Sequence, residues 1–110
     1  MTSKFTLADL EARVKARATA SAEASYTRQL LDKGVAQCAK KFGEEAVEAV
    51  LAAVGEDRER MIAEAADVLY HLLVLLEARG ITLAEVEALL ETRTKKSGLD
   101  EKASRKETAK

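Results

Sequence analysis

Apolar side chains recur along this chain at three- and four-residue intervals, the spacing of helices packed on one another. Leu7, Leu10 and Val14 form the first stripe. Thr6 precedes it as an N-cap, with Asp9 at the third helical position, and the pattern predicts a short amphipathic helix ending near Thr19. The small, polar run from Thr19 to Ala24 reads as a linker. Ser25 then caps a helix beginning at Tyr26, with Leu30 and Leu31 on its apolar side. Gly34 predicts a kink or short break before the chain resumes as a helix through Val35, Cys38 and Phe42. That helix continues to about Val54, and its Val47, Val50 and Val54 form a face expected in the core. Gly55 is a stop and Asp57 a cap for a helix over about 58–78, with Gly80 just beyond its end. From Met61 to Leu76 the apolar residues go nearly all the way round, which predicts burial within a bundle. Thr82, with Glu85 as its capping-box partner, opens a last amphipathic helix whose Val86, Leu89 and Leu90 are expected to face inward.

Composition narrows this to one all-α domain. The chain has 110 residues and no proline, enough for a single modest core. The pattern places that domain at 5–94, followed by a basic, polar tail at 95–110. The net charge is −1, and the Lys and Arg residues are scattered until that tail, which argues against a nucleic-acid partner. Cys38 is the only cysteine. A disulfide framework and a thiolate zinc site are therefore excluded, and packing is the simplest role for its side chain. The N-terminus is too polar for a signal peptide, and the Met61 run is too short and too acidic for a membrane span. These features fit a reducing cytoplasm.

The candidate chemistry is carboxylate. Glu45 and Glu48 share one helical face, as do Glu64 and Asp67 on the next helix. If the chain reverses near residue 56, Glu48 lies as far from the turn as Glu64, and Glu45 as far as Asp67. At about 1.5 Å rise per residue, the four acids come level across an antiparallel helix pair. Ionised carboxylates gathered among apolar residues cost several kcal/mol each unless they are compensated. Pairing with Arg or Lys, or plain exposure to water, would account for a single acid. Two matched pairs at one height point instead to a shared divalent cation, and an all-oxygen donor set suits Mg2+ or Mn2+.

The pattern Glu44-Glu45-x-x-Glu48 followed by Glu64-x-x-Asp67 resembles the MazG-type all-α nucleotide pyrophosphohydrolases. Flanking segments narrow the resemblance to the phosphoribosyl-ATP pyrophosphohydrolase family. These are Ser25-Tyr26-Thr27, Lys33-Gly34, Lys41 with Gly43, Tyr70-His71, and Ser97-Gly98 with Glu101-Lys102-Ala103-Ser104-Arg105. Gln37 stands where the family pattern calls for a basic residue. The resemblance implies a MazG-like helical bundle completed in a homodimer or higher homo-oligomer. It also implies Mg2+-dependent hydrolysis of phosphoribosyl-ATP to phosphoribosyl-AMP and pyrophosphate, in histidine biosynthesis. The sequence contains no segment for the following cyclohydrolase step, so the stand-alone form is expected.

In that chemistry Glu45, Glu48, Glu64 and Asp67 are the metal ligands. Glu44 is either an acid that orients water or an exposed glutamate. Lys41, one turn before Glu45, either binds phosphate or pairs with Glu45 or Glu44. His71, one turn after Asp67, is a hydrogen-bonded partner of Asp67 or a direct contact to substrate or metal. Lys33, Lys102 and Arg105 could hold the ribose phosphate or the triphosphate, and the last two could equally be part of a solvated tail. Three other readings compete with this one. A house-cleaning MazG-type enzyme acting on ordinary nucleoside triphosphates would use the same acids with another pocket. A non-enzymatic helical dimerisation module explains the apolar helix but not the acids. A di-iron bundle needs Glu-x-x-His on two helices, and the single histidine excludes it.

Overall fold

Five helices and no strand make up residues 4–55 and 57–95, the part of the chain that the computed structural model describes. They are α1 (Leu7–Ala18), α2 (Tyr26–Asp32), α3 (Val35–Val54), α4 (Arg58–Ala78) and α5 (Leu83–Thr94). Their starts follow local chemistry. Thr6 and Asp9 form a reciprocal capping box on α1, and Thr82 and Glu85 form another on α5. The Ser25 hydroxyl accepts from the Arg28 N–H and donates to the Arg17 carbonyl, both at 3.0 Å, which ties the start of α2 to the end of α1. Asp57 caps α4 through the Arg60 N–H.

Two glycines act through backbone conformation. Gly34 has φ +94, a value that carries the chain out of α2 and directly into α3, so the interruption is a true break. Gly80 has φ +69. It closes α4 with a Schellman pair in which the Ile81 N–H reaches the Leu76 carbonyl and the Gly80 N–H reaches that of Glu77.

The most extensive contact is between α3 and α4, packed as an antiparallel pair, while α1 and α2 lie against α4. One core cluster gathers Val14 of α1, Leu30 of α2, Cys38 of α3, Leu73 and Val74 of α4 and Leu83 of α5. Each helix thus contributes to one apolar knot, centred on the second half of α4. The Cys38 thiol donates to the Leu30 carbonyl inside it.

The helix pattern holds, but three apolar faces lie elsewhere than the core. Val47, Val50 and Val54 are 58%, 63% and 76% exposed. They stand opposite the acid-bearing side of α3, and it is the acid side, with buried Ala52, that α4 covers. On α4, His71, Leu73 and Val74 are buried while Ile62 and Leu69 remain exposed. Leu89 and Leu90 of α5 are also exposed, for that helix is anchored at its start, by buried Leu83 and by the Leu83 N–H on the Glu11 carboxylate.

Candidate metal centre

The α3–α4 pairing brings Glu45, Glu64 and Asp67 together. One carboxylate oxygen from each lies within 4.8 Å of the other two. Glu45 and Glu64 are partly buried and Asp67 is exposed, so the group sits at the edge of the helix pair and opens to solvent on one side. Oε2 of Glu64 is buried and has no hydrogen-bond partner among the described residues. A buried, unpaired carboxylate oxygen is costly, and here it stands beside two further acids. Three converging oxygens with one unsatisfied lone-pair face fit a hard divalent cation held by carboxylates.

Positive charge meets the group from one side. The Lys41 ammonium lies 3.3 Å from Glu45 and 3.9 Å from Glu44, both one helical turn along α3. Its hydrogen bond to Glu45, then the nearby Tyr26 phenol and the charges of Glu45 and Glu44, hold the ammonium above the usual lysine range. Glu44 is half exposed beside it.

Behind the acids is an aromatic group. Nδ1 of His71 is 2.9 Å from the Asp67 backbone carbonyl. That oxygen can only accept, so Nδ1 carries the proton and donates. The ring is buried edge-on against Tyr70, at 4.9 Å between centroids, and against Tyr26 at 6.2 Å. Tyr70 stacks on Tyr26 and shares a hydrogen bond with the buried Thr27 hydroxyl. His71 is thus tied to the residue Asp67, through its backbone.

Comparison with known proteins gives one answer. The family model for phosphoribosyl-ATP pyrophosphohydrolase matches residues 7–94. The "Phosphoribosyl-ATP pyrophosphatase 1" of Bradyrhizobium diazoefficiens is 66% identical, over 94% of this chain and 98% of its own length. The protein of the same name from Rhodopseudomonas palustris is 64% identical, over 94% of this chain and 96% of its own length. The "Phosphoribosyl-ATP pyrophosphatase" of Azorhizobium caulinodans is 63% identical over 93% and 94%. The chain belongs to the phosphoribosyl-ATP pyrophosphohydrolase family. Among the described residues no helix is long and apolar enough to cross a membrane.

Within this family frame, the residues singled out from the sequence fall into three groups. Glu45, Glu64 and Asp67 converge, with Lys41 and Glu44 alongside. Glu48 points one turn nearer the hairpin, where its carboxylate is held at 3.2 Å by the Arg60 guanidinium. Lys33 is the C-cap of α2, and Lys102 and Arg105 lie outside the described residues. Arg60 escaped the sequence reading. Its signal was present: it precedes Glu64 by four residues and so shares the acid face of α4. Tyr26 also gained meaning only from its neighbours, Lys41 and His71.

Proposed function

We propose that this chain hydrolyses phosphoribosyl-ATP to phosphoribosyl-AMP and pyrophosphate, the second step of histidine biosynthesis, at a divalent cation held by Glu45, Glu64 and Asp67. The observation that carries the metal assignment is the buried, unpartnered oxygen of Glu64 within 4.8 Å of its two neighbours. Glu48 is the fourth ligand once Arg60 releases it, and the pair is exposed enough to exchange partners readily. Mg2+ is the expected ion, and Mn2+ suits the same oxygens. When bound, the cation offsets charge on the phosphate oxygens and acidifies water at the site.

The remaining steps belong to side chains. The carboxylates of Glu45, Glu64 and Asp67 would hold the ion, and Lys41 binds a phosphate oxygen when substrate draws it from Glu45. By the family resemblance, Lys33, Lys102 and Arg105 hold the ribose phosphate or the triphosphate. Glu44, half exposed and adjacent to the cluster, orients the attacking water. The water oxygen forms a bond to phosphorus as the anhydride bond to pyrophosphate breaks, and the water proton passes to a carboxylate. His71 acts as a positioning residue: its Nδ1–H on the Asp67 carbonyl steadies the turn that presents the acid.

The exposed Val47, Val50, Leu51 and Val54 surface supports a homodimer or larger homo-oligomer, because a contiguous apolar helix face is a surface made for burial. A single buried cysteine is in keeping with a cytoplasmic setting. The deciding experiment measures pyrophosphate release from phosphoribosyl-ATP and from ordinary nucleoside triphosphates, with Mg2+ and with chelator. Release from phosphoribosyl-ATP alone, lost on chelation, is expected. Faster release from ordinary triphosphates would replace this reading with the house-cleaning one, and release that survives chelation would remove the metal.

A further inference from the structure

An apolar pocket of about 490 Å³ lies beside the acids, between the start of α1 and the middle of α4. Phe5, Leu7 and Leu10 form one wall, and Ala66, Leu69 and Tyr70 the other. Asp67 lines it too, and Asp67 is also one of the three converging acids. The pocket and the acid cluster therefore adjoin at Asp67. We propose that this pocket receives the purine base of the nucleotide whose phosphates lie at the acids.

Three features suit a flat heteroaromatic ring. The volume falls in the range of small-molecule sites, and the walls are mainly apolar with a carboxylate at one edge, as an aromatic base with polar edges requires. Two of the lining residues are aromatic and held in place from behind. The Arg13 guanidinium sits 4.7 Å from the Phe5 ring centroid, and Tyr70 is fixed by the Thr27 hydroxyl and by stacking on Tyr26. The capping box of Thr6 and Asp9 sets the path of the chain into α1, and with it the position of Phe5. A preformed slot loses little entropy when a rigid ring enters.

The assignment rests on the phosphoribosyl-ATP reading, and its test separates the two. Methyl NMR spectra of the full-length protein with Mg2+ are titrated with AMP and, separately, with inorganic pyrophosphate. The methyls of Leu7, Leu10, Ala66 and Leu69 are expected to shift with AMP and not with pyrophosphate. In parallel, Ala66→Phe, which fills the pocket, is expected to raise the KM for phosphoribosyl-ATP about tenfold and to hold kcat within about threefold. Should Ala66→Phe not fold, the wild-type titration decides alone. Pocket methyls that ignore AMP, or respond equally to pyrophosphate, overturn the proposal. So does an unchanged KM. A change in oligomeric mass for Ala66→Phe, with pocket methyls silent to AMP, would assign the pocket to a second copy of the chain. Failure of wild-type turnover on phosphoribosyl-ATP would sink the functional reading instead, while the AMP shifts would still report on the pocket.

Discussion

One carboxylate oxygen of Glu64 and the thiol of Cys38 are both removed from water, and opposite physics governs them. The Glu64 oxygen is buried without a partner beside two other acids, so the metal-free protein carries like-charge repulsion there. Glu64→Gln is expected to leave the metal-free melting temperature equal or higher and to lower turnover at least about a hundredfold. Mg2+ at about 100 times its Kd should stabilise the wild type by about 2.7 kcal/mol. The variant should show little of that gain in calorimetry, and an equal gain would place the ion elsewhere. Cys38 is 2% exposed and packed in the core, and burial pushes its thiol pKa up. Above the ordinary thiol value of about 8.5, the unfolded chain sheds this proton while the folded one keeps it. Stability from this group is therefore full below that value and falls as pH rises through the folded pKa. Cys38→Ala should flatten that decline in urea titrations run across this range.

At the scale of elements, the caps and breaks were legible because each is a local event. Thr6 with Asp9, Ser25, Asp57 and Thr82 with Glu85 all cap where the sequence places them, since a cap depends on residues within one turn of each other. Gly34 was readable only as a kink or a break. Its positive φ, which the sequence leaves open, makes it a break. Gly43 lies inside α3, and a methyl group added there meets nothing within 4 Å. Gly43→Ala should therefore stabilise the fold by about 1 kcal/mol in chemical denaturation, through helix propensity alone. Lost stability would mean that a neighbour uses this gap. The acid register was legible to within a turn. Glu45, Glu64 and Asp67 meet as the rise per residue predicts, whereas Glu48 is drawn aside by Arg60, whose reach depends on a rotamer rather than on spacing.

For the molecule as a whole, the outward valine face of α3 matters most. It runs through Val47, Val50, Leu51 and Val54, opposite the side of α3 that packs on α4. An apolar helix face of this length is costly to leave in water, and a second copy of the chain is the proposed cover. Val50→Asp should shift the species seen in analytical ultracentrifugation toward monomer and lower activity with it. A variant with unchanged mass would show that this face is not the seam. Apolar periodicity told that this face is to be buried. It could not tell whether the cover comes from the same chain, because helical spacing carries no information about which neighbour lies across it.

The sequence by itself determined the helices, their caps, the reversal between α3 and α4, the acid-bearing faces of those two helices and the family. All of these rest on contacts within a turn or on arithmetic along two adjoining helices. Tertiary structure alone decided which acids converge, that Arg60 takes Glu48, that Tyr26 and Tyr70 enclose His71, and that a pocket opens between α1 and α4. Those outcomes depend on how side chains distant in the chain settle against each other, and packing in three dimensions is a property that one-dimensional spacing does not encode.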